Sequence, residues 1–436
     1  MTFFFKIKGL SPPKTTAVKI IYLSLALPHI LMCTFVLILS EWMAFALSQQ
    51  TFKERMFNMS VATLDTILVF RTTVWAFNKA KLDEIRAIIT RKSFNFRCFD
   101  LLKVGCEQVL TVGRTKEVEK ERGLSCKEIK QLWQKAKFVT EKKCNEMDVF
   151  RKELMLNTRL LCCFIHLAIT IISVLTYTLS FVNDFTNDTY EAYNPILNRT
   201  SLYRKFQYPL YLPFDTSFDG YYWLAYFYNC YAHLGNIITF LPIETTLTCS
   251  LIHLISQTAV LKEAFKYVDE NNFGYQSFGE ASIIKEIRIV KCINEIQEIY
   301  RAVELLENLC NVQLMVQYGF ATFLLCSICY VIPLVENTME GICCLIFFAA
   351  SLGQIFTFSY CCHTLALELQ AIGVSVYNLD WTNYPSKLKR TLNISILRTQ
   401  KPANLTAGKI IVIDLLFFIQ VVQKSYSFYT LITKTN

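Results

Sequence analysis

Seven long apolar runs punctuate the chain, at about residues 20–47, 59–77, 156–182, 221–256, 312–334, 342–367 and 410–432. Each is near or above the ~20 residues a helix needs to cross the ~30 Å hydrocarbon layer of a bilayer. The second is the least apolar and contains Arg71. The fourth is longer than one crossing needs, and its single proline, Pro242, is compatible with a kinked but continuous helix. The first run is too long for the apolar core of a signal peptide and is expected to remain as a span. The pattern predicts an all-α membrane protein of seven transmembrane helices in one domain spanning residues 1–436. Ahead of the fifth run, Ile283, Ile287, Val290, Ile293, Ile296, Ile299, Val303 and Leu306 recur at three- and four-residue steps. That is the apolar stripe of an amphipathic helix prolonging the span into a helical bundle outside the bilayer.

Composition agrees. Of 436 residues 53% are hydrophobic and only 18% charged, against the ~25% charged of an ordinary soluble domain. The net charge of +9 does not point to nucleic acid, because it lies in loops between the apolar runs. Its distribution orients the protein. Residues 79–152 hold 19 Lys and Arg, and the leader holds Lys6, Lys8, Lys14 and Lys19 with no acid. The third-to-fourth connection offsets Arg199, Arg204 and Lys205 with five acids and carries two glycosylation sequons, at Asn187 and Asn198. Basic loops stay cytoplasmic, so the N-terminus is predicted inside and, after seven spans, the C-terminus outside.

Catalytic chemistry finds no foothold. The 17 cysteines include adjacent pairs inside apolar runs, at Cys162–Cys163, Cys343–Cys344 and Cys361–Cys362, and a Cys326/Cys329 pair within a span. Without a second such pair or a histidine pair at zinc spacing they read as buried thiols. His29, His166, His233, His253 and His363 each stand alone along the sequence. No enzyme, cofactor or metal centre is expected. A G-protein-coupled receptor has the opposite orientation, and neither an Asp-Arg-Tyr triplet nor an Asn-Pro-x-x-Tyr motif closes the third or seventh span. Nor is there the internal repeat common in secondary transporters.

The seventh run is the most informative. Gln420, Lys424, Ser427, Leu431 and Lys434 follow one another at four- and three-residue steps, so they share a helix face, opposite Phe417, Val421, Phe428 and Ile432. Unpaired polar groups are costly in hydrocarbon. The face is therefore either a seam buried between helices or the wall of an aqueous pore, with Leu431 as an apolar constriction.

Here the sequence resembles the insect odorant receptors. Residues Pro402-Ala403-Asn404-Leu405-Thr406-Ala407-Gly408 are similar to that family's Pro-x-x-Leu-Thr-Ala-Gly signature. The segment Ser425-Tyr426-Ser427-Phe428-Tyr429-Thr430-Leu431 is similar to its terminal Ser-Tyr-Ser ending, and Tyr377 with Trp381 to its Tyr-x-x-x-Trp element. The resemblance implies a ligand-gated, nonselective cation channel in the plasma membrane of a sensory dendrite, assembled as a tetramer with the odorant co-receptor. It places the gate at Leu431, with Ser427, Thr430 and Lys434 as neighbours. It also implies a pocket for a small volatile hydrophobic odorant in the outer half of the bundle, nominating Ile67, Phe70, Ser173, Tyr177, Tyr226, Phe347, Phe348 and Ser351. The gustatory-receptor ending (Thr-Tyr followed by Gln-Phe) is absent, leaving a gustatory-like channel subunit as the alternative. The 257–311 connection is too short for the co-receptor's enlarged loop, so the resemblance is to a ligand-tuned subunit.

Overall fold

A computed structural model of the chain describes residues 32–47, 52–78, 189–194, 199–204, 210–266, 278–335, 338–401 and 403–435, with isolated positions between these stretches. Most of the third apolar run, the leader and the basic 86–148 segment lie outside the described residues, as do Ser173, Tyr177, Asn187 and Asn198. The sequon threonines Thr189 and Thr200 are on described strands.

A π-helical turn at Met32–Val36 leads into α1 (Leu37–Leu47), followed by α2 (Phe52–Phe77). An antiparallel hairpin, β1 (Thr189–Asn194) with β2 (Arg199–Arg204), precedes α3 (Asp219–Lys266) and α4 (Phe278–Val331). Then come α5 (Thr338–Tyr377), α6 (Ser386–Gln400), a minimal hairpin of β3 (Thr406–Ala407) with β4 (Ile411–Val412), and α7 (Leu415–Thr435). The helical expectation holds, with two short hairpins added at connections.

Helix length is the architectural key. The 54 residues of α4 rise ~80 Å at ~1.5 Å each, more than twice the hydrocarbon thickness. The 48 residues of α3 and 40 of α5 likewise exceed a single crossing. α3 runs unbroken past Pro242. The C-terminal part of α3, the N-terminal part of α4 and the C-terminal part of α5 therefore project from the same end of the bundle. There Lys262 of α3 pairs with Glu368 of α5, and Arg398 of α6 lies over the Tyr300 ring of α4 at 4.0 Å. α6 approaches α5 so closely that a Cβ on Gly373 would lie 2.5 Å from Thr399 Oγ1. The later part of the stripe on α4 is consumed within the chain: Ile293, Ile296, Ile299, Val303 and Leu306 are buried in the same core as Val260, Leu261 and Phe265 of α3. Val290 is exposed.

At the other end the residues before α3 fold over the helix tips. Tyr211 N–H donates to Ser40 O at 3.1 Å, Tyr208 stacks on Phe57, and Asn229 Nδ2 donates to Tyr208 O at 3.0 Å. Arg204 pairs with Asp219 at 3.2 Å and sits over the Tyr222 ring.

Candidate functional site

The terminal helix is held in place by the β3–β4 hairpin. Gly408 and Lys409 have φ of 62° and 61°, and Ile410 N–H returns to Ala407 O at 3.2 Å. Two successive positive φ values make a primed hairpin turn. Glycine is required at 408 twice over, since a Cβ there would also meet Met315 Sδ of α4 at 2.5 Å. The hairpin docks on α4 through Gly408 N–H to Asn311 O (2.9 Å) and Thr406 Oγ1 to Glu307 Oε1 (2.6 Å). So the Leu-Thr-Ala-Gly signature is a docking turn. It also corrects the start of the last helix. The apolar run opens at Ile410, but Ile411 and Val412 are spent on strand pairing. The helix begins at Leu415 instead, with Asp414 Oδ1 accepting from Phe417 N–H at 2.7 Å as an N-cap does.

From there α7 packs on α4 along one face. Phe417, Val421 and Ser425 are buried at four-residue steps, Phe417 lies 5.1 Å from the Tyr318 ring, and Phe428 stacks on Phe323 at 5.9 Å. The other face is uncovered. Gln420, Lys424, Ser427 and Lys434 are exposed, Leu431 is 59% exposed and Thr430 is half-buried. Ser427 and Thr430 satisfy their hydroxyls on the helix's own carbonyls, at 2.9 and 2.8 Å. Among the described residues the polar stripe is thus no seam.

The described pocket candidates are distributed over three helices. Ile67 is buried and Phe70 half-buried on α2; Tyr226 is buried on α3; Ser351 is buried and Phe347 and Phe348 half-buried on α5. α2 and α5 both pack on α3. Tyr226 belongs to an aromatic cluster with Tyr222, Trp223 and Phe227, ring centroids 5.7–6.1 Å away. Ser351 Oγ donates to Phe347 O at 2.9 Å. Such surroundings, aromatic walls with a few hydroxyls, suit a small apolar ligand.

Residues invisible to sequence reasoning form polar layers through the bundle. Arg71 of α2 and Glu244 of α3 pair at 2.5 Å with side chains 2% and 4% exposed. One turn on, Trp75 Nε1 donates to Gln313 Oε1 of α4 at 2.8 Å, and Tyr318 of α4 shares a 2.8 Å hydrogen bond with Ser359 of α5. His233, isolated along the sequence, is brought beside Glu41 of α1 and Asp65 of α2. Arg71 was the one visible hint, as a charge inside a span; its partner lies 173 residues away. The Tyr-x-x-x-Trp element closes the end of α5, with Trp381 Nε1 donating to Tyr377 O at 3.1 Å.

Helices too long for one crossing, charges paired inside them and an aromatic cluster at one end describe a helical membrane protein. Comparison with known proteins identifies its kind. The 7tm odorant-receptor family model matches residues 124–426. Odorant receptor 10 of Aedes albopictus is 24% identical over 149 residues, covering 34% of this chain and 40% of that protein. Odorant receptor 2a of Drosophila melanogaster is 26% identical over 152 residues, covering 34% and 38%. The chain thus aligns with less than half the length of either relative. In structure it is similar to the insect olfactory receptor OR5 from Machilis hrabei, with a TM-score of 0.71 and 12% identity over 100% of this chain and 96% of that one. OR5 in complex with eugenol matches equally well. The chain belongs to the insect odorant-receptor family, whose members are receptors rather than enzymes.

Proposed function

We propose that the protein is a ligand-tuned odorant receptor subunit. It binds a small volatile hydrophobic molecule in the outer half of its bundle and gates a nonselective cation pore lined by α7. One observation carries this reading: α7 buries Phe417, Val421 and Ser425 while leaving Gln420, Lys424, Ser427 and Leu431 uncovered. In a membrane such a face must meet water or another subunit, and a pore on the axis of a tetramer with the co-receptor supplies both. Leu431 then forms the apolar constriction, with Ser427, Thr430 and Lys434 around it.

The N-terminus is cytoplasmic, so the long ends of α3, α4 and α5, together with α6, form the intracellular anchor. Val374, Ile394 and Leu397 are exposed there and are the surface left for neighbouring subunits once the α4 stripe is buried. Ile67, Phe70, Tyr226, Phe347, Phe348 and Ser351, with Ser173 and Tyr177, supply the odorant pocket. The eugenol bound by the structurally similar OR5 is a ligand of this chemical class. Ligand preference for the open state by a few kcal/mol shifts the gate, and burial of a small apolar molecule provides energy of that order. The receptor resides in the plasma membrane of the sensory dendrite.

The test is Leu431→Ser in the channel coexpressed with the co-receptor. A polar side chain at the constriction raises the current without ligand, and odorant adds proportionately less. Unchanged leak with an unchanged odorant response removes Leu431 from the gate. A C-terminal epitope reachable on intact cells confirms the orientation; an N-terminal one overturns it.

A further inference from the structure

Two buried carboxylates have no part in the receptor reading. Glu41 comes from α1, Asp65 from α2 and His233 from α3, all buried beneath the segment that folds over the helix tips, and Glu41 is 3% exposed. One donor atom from each residue lies within 4.8 Å of the other two. His233 Nε2 stands 3.8 Å from Glu41 Oε1, and Nδ1 stands 3.5 Å from Asp65 Oδ2. The Tyr208 ring backs the imidazole at a centroid distance of 4.5 Å.

The hydrogen bonding is lopsided. Asn236 Nδ2 donates to Asp65 Oδ1 at 3.0 Å, leaving Oδ2 turned toward His233. Apart from each other, Asp65 Oδ2 and the two Glu41 oxygens find no hydrogen-bond donor among the described residues. No described Lys or Arg forms an ion pair with either carboxylate. Buried carboxylates with that little compensation cost several kcal/mol each in an apolar bundle.

With a neutral imidazole and both carboxyls ionised the cluster would carry two negative charges, which one divalent cation cancels. The donor set selects among cations. Calcium and magnesium favour six or more oxygens, whereas imidazole with carboxylates suits ions of the zinc class. We propose that Glu41, Asp65 and His233 form an intramembrane site for a divalent transition-metal ion of the Zn²⁺ class. Asn236 serves as the positioning residue that orients Asp65, as partners of metal ligands commonly do. Tetrahedral bonds of ~2.0 Å set donor atoms about 3.3 Å apart. Closing from 4.8 Å therefore takes side-chain adjustment of about 1.5 Å. Occupancy ties α1 and α2 to α3, and it is independent of whether the protein conducts ions.

The experiment titrates metal-stripped, purified full-length receptor with Zn²⁺ alone, reading bound metal by mass spectrometry and thermal stability in parallel. One Zn²⁺ per chain is expected to bind in wild type and to raise its unfolding temperature. Glu41→Gln, Asp65→Asn and His233→Gln should each lose that equivalent or weaken it at least tenfold, and Asn236→Ala should weaken it ~10–100-fold. Co²⁺ substitution in the wild type separates this site from the 17 cysteines. The expected spectrum has ligand-field bands of nitrogen and oxygen donors with no thiolate charge transfer, and it needs no variant to fold. Equal Zn²⁺ binding in wild type and Glu41→Gln overturns the proposal. So does a purely thiolate spectrum, the absence of saturable binding, or stabilisation by small primary amines in place of Zn²⁺.

Discussion

Separating Arg71 from Glu244 is the most direct probe of what holds the bundle together. The 2.5 Å contact joins two side chains almost sealed from solvent. At an effective dielectric of ~20 the gross attraction is about 7 kcal/mol, opposed by desolvation of several kcal/mol per ion. The intact pair is therefore worth little in net terms, but removing either member strips the other buried charge of its closest counter-ion. Arg71→Met or Glu244→Met alone is expected to cost about 3–5 kcal/mol, while the double Met variant recovers most of that loss. The assay is a double-mutant cycle on receptor purified in mixed micelles, with unfolding titrated by denaturing detergent and surface delivery measured in cells. A coupling energy of at least ~2 kcal/mol is expected. If the double variant loses the sum of the two singles, the pair is not the structural unit described, and the polar layer through Trp75 and Gln313 loses its anchor.

Four further outcomes follow. Gly408→Ala forces L-residue geometry onto a positive φ and pushes a methyl into Met315; at ~1–2 kcal/mol for the φ alone, reduced surface delivery and odorant response are expected, and wild-type behaviour refutes the docking turn. Burial pushes the half-buried Glu295 carboxyl up to about 7 against the opposing pull of Lys291, with Glu298 adding to the rise. Its folded pKa lies above its unfolded one, so stability falls as pH rises from about 4.5 to 7. After discounting for its exposure the effect is about 1 kcal/mol, and Glu295→Gln should flatten that part of the stability–pH curve. Tyr226→Ala and Ser351→Ala should shift odorant potency at least tenfold for some member of a diverse panel; superimposable concentration–response curves for both remove them from the pocket. Glycosidase treatment of the surface protein should release two glycans, one each lost in Asn187→Gln and Asn198→Gln.

How far the sequence reached depends on whether the information was periodic. The faces of α7 were legible because one helix turn fixes them. Phe417 and Val421 lie on the buried side as the spacing predicts, and the polar residues lie opposite. Phe428 shows the limit: on the apolar side by spacing, it remains 42% exposed while stacking on Phe323. The start of α7 was misread because a four-residue apolar run from Ile410 fits a strand and a helix equally. Positive φ at Gly408 and Lys409 decided for the hairpin. The α4 stripe was legible as an apolar face, but its partner was not, and the structure spends the part from Ile293 to Leu306 inside the subunit.

What no spacing could reveal is contact across helices, and there the chemistry concentrates. His233 reads as solitary until α1 and α2 bring Glu41 and Asp65 to it, and Arg71 reads as an oddity until α3 brings Glu244. These contacts lead toward α7. Arg71 and Trp75 share a face of α2, and Trp75 bonds Gln313. Two residues before Gln313 on α4, Asn311 accepts the Gly408 N–H that seats the terminal hairpin. Further along α4, Tyr318 bonds α5 through Ser359 and packs on Phe417. A shift of α2 or α5 therefore reaches α7 through one continuous helix, α4. If that route carries gating, Gln313→Leu should leave odorant binding intact while uncoupling it from current. A matched loss of binding and current would instead make Gln313 a residue of the fold alone.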